Sequence, residues 1–190
     1  MILLLSAGRS GTSMIANIFA DHGVWIGDCD GPDVFNRRGY FTNKTITQII
    51  RNTYGTEYGP ELPAEKPGFI ADVCDALEVQ GYQGGKILVK THSYYQNIFN
   101  SELPLKIAVR RPVHRILDSF EKVGRIKPGE YEKQEAVRLM DRHLDAIPYQ
   151  LESEELLLGD YRQLERIMGY CNIEFKKEIA DEVVKRGFWC

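Results

Sequence analysis

The sequence predicts an α/β fold with a largely parallel central sheet, and three observations carry that expectation. The runs MILLLS (1–6), KILVK (86–90) and LKIAV (105–109) are almost wholly apolar, as strands buried on both faces are. Segments of helical periodicity separate them, which is the alternation of an α/β domain. The first run also breaks directly into SAGRSGTS, a turn of glycines and hydroxyls leading into a helix. A chain of 190 residues suits one domain, 1–190.

After the first strand, a helix is expected from about Thr12, with Met14, Ile15, Ile18 and Phe19 on its buried face and Gly23 closing it. Segment 28–41, with Gly31, Pro32 and Gly39, reads as loop. Ile46, Ile49 and Ile50 mark a second helix, and residues 55–68, with three prolines, a long connection of the kind that often carries function. Residues 69–80 read as helix, followed by the strands at 86–90 and 105–109. Pro112 suits the first turn of a helix whose buried stripe is Val113, Ile116, Leu117 and Phe120. A charged helix over 130–146, a short strand at ELLL and two terminal helices complete the reading.

Composition narrows the function classes. A net charge of −3 argues against a nucleic acid polymer as partner, while leaving room for one local anion pocket. The four cysteines include no CxxC pair, so reduced thiols, a cytoplasmic location and no metal site are expected. No apolar run approaches the ~20 residues of a membrane span, and the first lacks the basic flank of a signal peptide.

SAGRSGTS stands where open α/β sheets place their ligands. Gly8 and Gly11 allow close backbone approach, and the helix that follows offers unpaired N–H groups and the positive end of its dipole. Ser10, Thr12 and Ser13 add hydroxyls, and Arg9 adds a planar cationic fork. The set suits a phosphate or sulfate group. It is neither GxxxxGK[ST], since Thr12 follows Gly11 and the loop holds no lysine, nor GxGxxG.

GRSGTS resembles the 5′-phosphosulfate-binding loop of sulfotransferases that use 3′-phosphoadenosine 5′-phosphosulfate (PAPS). Two further stretches follow in that family's order. ILVKTHS (87–93) is similar to the strand end that sets a Lys-Thr-His triplet beside the reacting sulfate, and IAVRRPVHRILDSF (107–120) to the strand–turn–helix that holds the 3′-phosphate. NRRGYFTNKTITQIIRN and LLLGDYRQLERIMGYC are fainter echoes, extending the resemblance over most of residues 1–175.

The resemblance implies a three-layer α/β/α sandwich, P-loop NTPase-like, with PAPS as donor and no metal. It implies Arg9, Lys90 and His92 as catalytic residues, and Gly8, Arg9, Ser10, Gly11, Thr12, Ser13, Arg110 and Ser119 as the donor-binding set. The acceptor would be a small molecule or glycan bearing a hydroxyl or amine, met by loops 28–45, 55–68 and 93–102. Tyr94 and Tyr95 either line that pocket or pack in the core.

The chain also departs from the family. Arg9 stands where many members carry lysine, and Thr42 where some carry glutamate. The family's helical serine, counted from Arg110, falls on Asp118, with Ser119 one residue later; the helical stripe turns Asp118 away and leaves Ser119 to act. The family's basic closing segment is replaced by KRGFWC. Asp33 is an alternative base. An inactive nucleotide-binding domain and a small ATP-dependent kinase are the alternative functions, and the oligomeric state is left open.

Overall fold

In the computed structural model, which describes residues 1–32, 39–56, 61–127 and 129–185, strands β1 (Ile2–Ser6), β2 (Leu88–His92), β3 (Leu105–Arg110) and β4 (Tyr149–Glu152) form one parallel sheet in the order β2–β1–β3–β4. The helices are α1 (Thr12–Asp21), α2 (Lys44–Tyr54), α3 (Phe69–Val79), α4 (Val113–Lys122), α5 (Tyr131–Arg142), α6 (Ser153–Leu157), α7 (Arg162–Tyr170) and α8 (Lys177–Lys185).

Both faces of the sheet are covered, which explains why its strands read as unbroken apolar runs. Side chains alternate along β1: Ile2 and Leu4 join a cluster with α1, α7 and α8, while Leu3 and Leu5 join another with α2 and α3. A smaller cluster packs Ile116 of α4 against Ala7, the residue just before Gly8. The first glycine-rich turn is thus braced from behind by α4. Among the described residues, no helix is long and apolar enough to cross a membrane.

Three expectations are corrected. ELLL is not a strand: β4 lies upstream at Tyr149–Glu152, and the ELLL residues fall in and just after α6. Short apolar runs do not distinguish strand from helix by pattern alone, and Glu154 and Glu155 suit the first helical turn, where the dipole favours carboxylates. The second strand begins two residues later than expected, because Ile87 is taken up in a parallel bridge with Trp25. The helix expected over 130–146 stops at Arg142, and a 3₁₀ turn continues from His143 to Ala146.

Register decides where the chemistry falls. Leu4 pairs with Lys90 and Ser6 with His92, so β1 and β2 end level. The chain runs from β1 to β2 on one side and then crosses to β3 on the other, placing a switch of direction at β1, outside whose carboxyl end a crevice opens. Residues 28–32 and 39–43 fold back over this edge, Asp30 exchanging backbone hydrogen bonds with Tyr40 and Thr42. Asn43 clips its base: its Oδ1 caps α2 at the Ile46 N–H (3.0 Å), and its Nδ2 donates to Gln80 Oε1 (2.8 Å).

Candidate active site

The turn after β1 is wound by left-handed residues, Gly8 (φ +82°), Arg9 (+50°) and Gly11 (+84°). Arg9 pays a steric penalty that glycine would not, of order 1 kcal/mol or more. Two contacts hold it there. Arg9 Nε donates to Ser119 Oγ at 2.9 Å, and Arg111 donates to the Arg9 carbonyl at 3.3 Å. Ser10, fully buried, donates from its hydroxyl to the Gly8 carbonyl (2.8 Å), and the Gly8 N–H donates to Ser6 Oγ (3.2 Å). Gly11 is the N-cap of α1, and no side chain caps that helix, so its positive end faces outward beside Thr12 and Ser13.

This turn forms one wall of a cavity of about 600 Å³. Thr91 and Tyr95 stand on another side, Thr47, Ile50 and Arg51 come from α2, and Asp30, Tyr40 and Thr42 from the folded-back segment. Among the described residues, five cations, Arg9, Arg51, Lys90, Arg111 and Arg125, converge there against a single carboxylate, Asp30. In a chain of net charge −3, that concentration makes the cavity a local sink for anions.

Lys90 and His92 leave β2 on the face that Leu88 shares with α1. Lys90 Nζ donates to Ser13 Oγ at 2.8 Å and to the Tyr40 carbonyl, tying β2, α1 and the folded-back segment together. Burial lowers the Lys90 pKa to about 7, opposed by the charges of Cys29 and Asp30. His92 is pulled down to about 4, chiefly by burial and then by the charge of Lys90, with the Ser6 carbonyl pulling the other way. The His92 imidazole is therefore neutral at pH 7, and Lys90 is balanced near its titration point.

Of the residues expected from sequence, Gly8, Arg9, Gly11, Thr12, Ser13, Lys90, His92 and Ser119 all line this one cavity. Ser10, within the turn, is fully buried and does not line the cavity. Arg110 is not brought into the site. It donates to Gln150 Oε1 (2.8 Å), pairs with Asp145 and lies 3.9 Å from Asp141, whereas Arg111 next to it lines the cavity. Asp118 is exposed and Ser119 is buried, the division the helical stripe predicted. Tyr95 packs beside Tyr54 and Tyr94 in the core and also lines the cavity, with its hydroxyl donating to the Gly55 carbonyl at 2.8 Å. Asp33 lies outside the described residues.

Sequence reasoning missed Arg51 and Arg125. Of the arginine pair closing the third apolar run, both members of which it read as facing a ligand, it assigned the binding role to Arg110, where the structure turns Arg111 to the cavity. Arg51 shares a helical face with Thr47 and Ile50, so its position was legible once α2 was placed. Arg125 follows α4 in an irregular turn and carried no local signal. Among the described residues, no group of three or more His, Cys, Asp or Glu could hold a metal ion. No family model matches this chain, and no curated protein or solved structure matches it.

Proposed function

We propose that the protein is a PAPS-dependent sulfotransferase with a P-loop NTPase-like three-layer fold, acting in the cytoplasm on a small-molecule or glycan acceptor. The observation that carries this reading is the convergence of segments 8–13, 90–92 and 111–119 on one cation-rich cavity. The residues present fit such a donor. An uncapped helix end behind left-handed glycines suits the 5′ group, and Arg111 with Ser119 offers a cation and a hydroxyl for the 3′-phosphate, the task expected of Arg110 and Ser119.

The bound donor supplies a sulfuryl group on a phosphate oxygen. In the transfer, the bond from sulfur to that bridging oxygen breaks, its electron pair stays on the phosphate, and a bond forms between sulfur and the acceptor oxygen. Backbone N–H groups of the turn fix the 5′ group, and Arg9 and Lys90 oppose the charge growing on the bridging oxygen. Arg9 remains charged throughout, so its contribution is electrostatic and never that of a proton donor. Neutral His92 takes the acceptor's proton, and the anions around it raise its basicity while they are bound.

The test is thermal denaturation with 3′,5′-adenosine bisphosphate in the absence of metal, compared with ATP and magnesium. At about a hundredfold excess over Kd, linkage supplies roughly 2.7 kcal/mol, an upward shift of several degrees. A shift with ATP and magnesium alone would replace this reading with a kinase. Binding without turnover on any acceptor would leave an inactive nucleotide-binding domain.

A further inference from the structure

Arg51 and Arg125 differ from every other described arginine. The others are tied by their guanidinium groups to a carboxylate, hydroxyl or carbonyl. Among the described residues, the Arg51 and Arg125 side chains make no hydrogen bond or ion pair. Both nevertheless line the cavity, one from α2 and the other from the turn after α4. Both also act through their charge on His92, disfavouring its protonation. Their cost to the general base is uncompensated as the site stands.

In the proposed reading the donor's anionic groups are met by the turn, Lys90, Arg111 and Ser119, which leaves this second pair of cations to another ligand. We propose that the acceptor is a small hydroxyl compound carrying its own oxyanion, a carboxylate or an ester sulfate or phosphate, which Arg51 and Arg125 hold while the hydroxyl faces His92. The inference rests on the sulfotransferase reading. Its logic is that the acceptor's own charge neutralises the two arginines and restores proton affinity to His92 only when the hydroxyl is in place. An acceptor without that charge leaves the base suppressed.

The experiment has two arms. In the first, calorimetry without metal measures 3′,5′-adenosine bisphosphate binding to the wild type and to Arg51→Gln/Arg125→Gln. In the second, the protein saturated with that nucleotide is titrated with 4-hydroxyphenylacetate, 4-hydroxyphenyl phosphate and neutral methyl 4-hydroxyphenylacetate, and with glucuronate against methyl glucoside. The anionic probes are expected to bind at least ~10-fold tighter than their neutral counterparts, the size of one charge-assisted hydrogen bond. In the double variant the preference falls below about threefold, while nucleotide affinity stays within that same factor. The carboxylate and phosphate probes separate the two oxyanion classes. Histidine NMR adds a readout independent of affinity: the anionic probes raise the His92 pKa in the wild type and not in the variant. No nucleotide binding in the first arm removes the sulfotransferase reading itself. Nucleotide binding with no charge preference, or with a preference that survives in the variant, overturns the anionic acceptor alone. Both arginines are exposed, and the nucleotide's effect on melting reports that the variant is folded; single variants serve if it is not.

Discussion

Arg9 and Ser119 lie 110 positions apart, yet the Arg9 Nε donates to the Ser119 hydroxyl at 2.9 Å. Through that bond the first turn and α4 form one surface, and Arg111 reinforces it from the start of the same segment by donating to the Arg9 carbonyl. A left-handed arginine is tolerated because its backbone and its side chain are both held by the segment running from β3 into α4.

The first prediction separates adjacent arginines. Arg111→Gln should weaken 3′,5′-adenosine bisphosphate by roughly ten- to a hundredfold, the range of ~1.5–3 kcal/mol for a charge-assisted bond, and weaken 5′-AMP far less. Ser119→Ala should follow the same pattern to a smaller degree. Arg110→Gln should leave both affinities alone and lower stability by about 1–3 kcal/mol, because Asp141 keeps its half-buried carboxylate without its cation. Titration of the two nucleotides into each variant decides it; equal losses in Arg111→Gln would show that this arginine does not read the 3′ position.

If the donor binds as proposed, Lys90 makes anion binding and folding depend on pH in opposite senses. Its pKa is about 7 in the folded chain against 10.5 in the unfolded one, so between those values the unfolded chain holds more protons and stability rises with pH. Cys29 acts the other way above pH 9, its folded pKa being about 11, so the clean rise lies between about 7 and 9. Nucleotide affinity should fall over the same interval, since the anion prefers charged Lys90. Binding should therefore take up a proton, read from calorimetry in buffers of different ionisation heat. In Lys90→Met both dependences should vanish, and a wild type without proton uptake would remove Lys90 from the anion site.

In the proposed mechanism His92 sets the acid side of catalysis. With a folded pKa of about 4, the acid limb of kcat/KM should fall well below the ordinary histidine range, and Lys90 should set an alkaline limb near 7. His92→Ala should cut kcat by about 10²- to 10⁴-fold with little change in nucleotide affinity. A pH–rate profile of the variant that keeps the acid limb would assign that limb to another group.

Strands β1 to β3, α1 and the buried stripe of α4 were legible in the sequence because burial on both faces, or on one helical face, writes itself into local pattern; β4, with a mixed sequence, was not. The tight turn at 8–11 was legible too, since its glycines announce an unusual backbone. The choice between Arg110 and Arg111 was not legible. It depends on the register of β3 against β4 and on Asp141 and Asp145, which α5 and the turn after it bring to Arg110 from more than thirty positions downstream. Arg51 and Arg125 escaped notice for local reasons: Arg51 stands on a helix assigned from its apolar neighbours and Arg125 in an irregular turn after α4, and only the closed fold brings both to the cavity that His92 lines.

Gly8 supplies the last prediction, because conformation and space there can be separated. Its φ of +82° disfavours any side chain, and a Cβ would come within 3.1 Å of Phe120 Cζ and 3.4 Å of His92 Cε1. Gly8→Ala should therefore cost about 1–2 kcal/mol for the left-handed backbone, plus whatever is needed to move two rings. Phe120 is only partly buried and can yield, whereas movement of His92 displaces the proposed base. Loss of turnover should thus exceed what the loss of stability explains, with kcat falling more than nucleotide affinity. Adding Phe120→Leu should relieve the closer contact and recover part of the turnover while leaving the backbone penalty in the melting temperature. If the double variant recovers stability but no turnover, the turn rather than the ring contact sets the catalytic geometry, and Gly8 acts through backbone conformation alone.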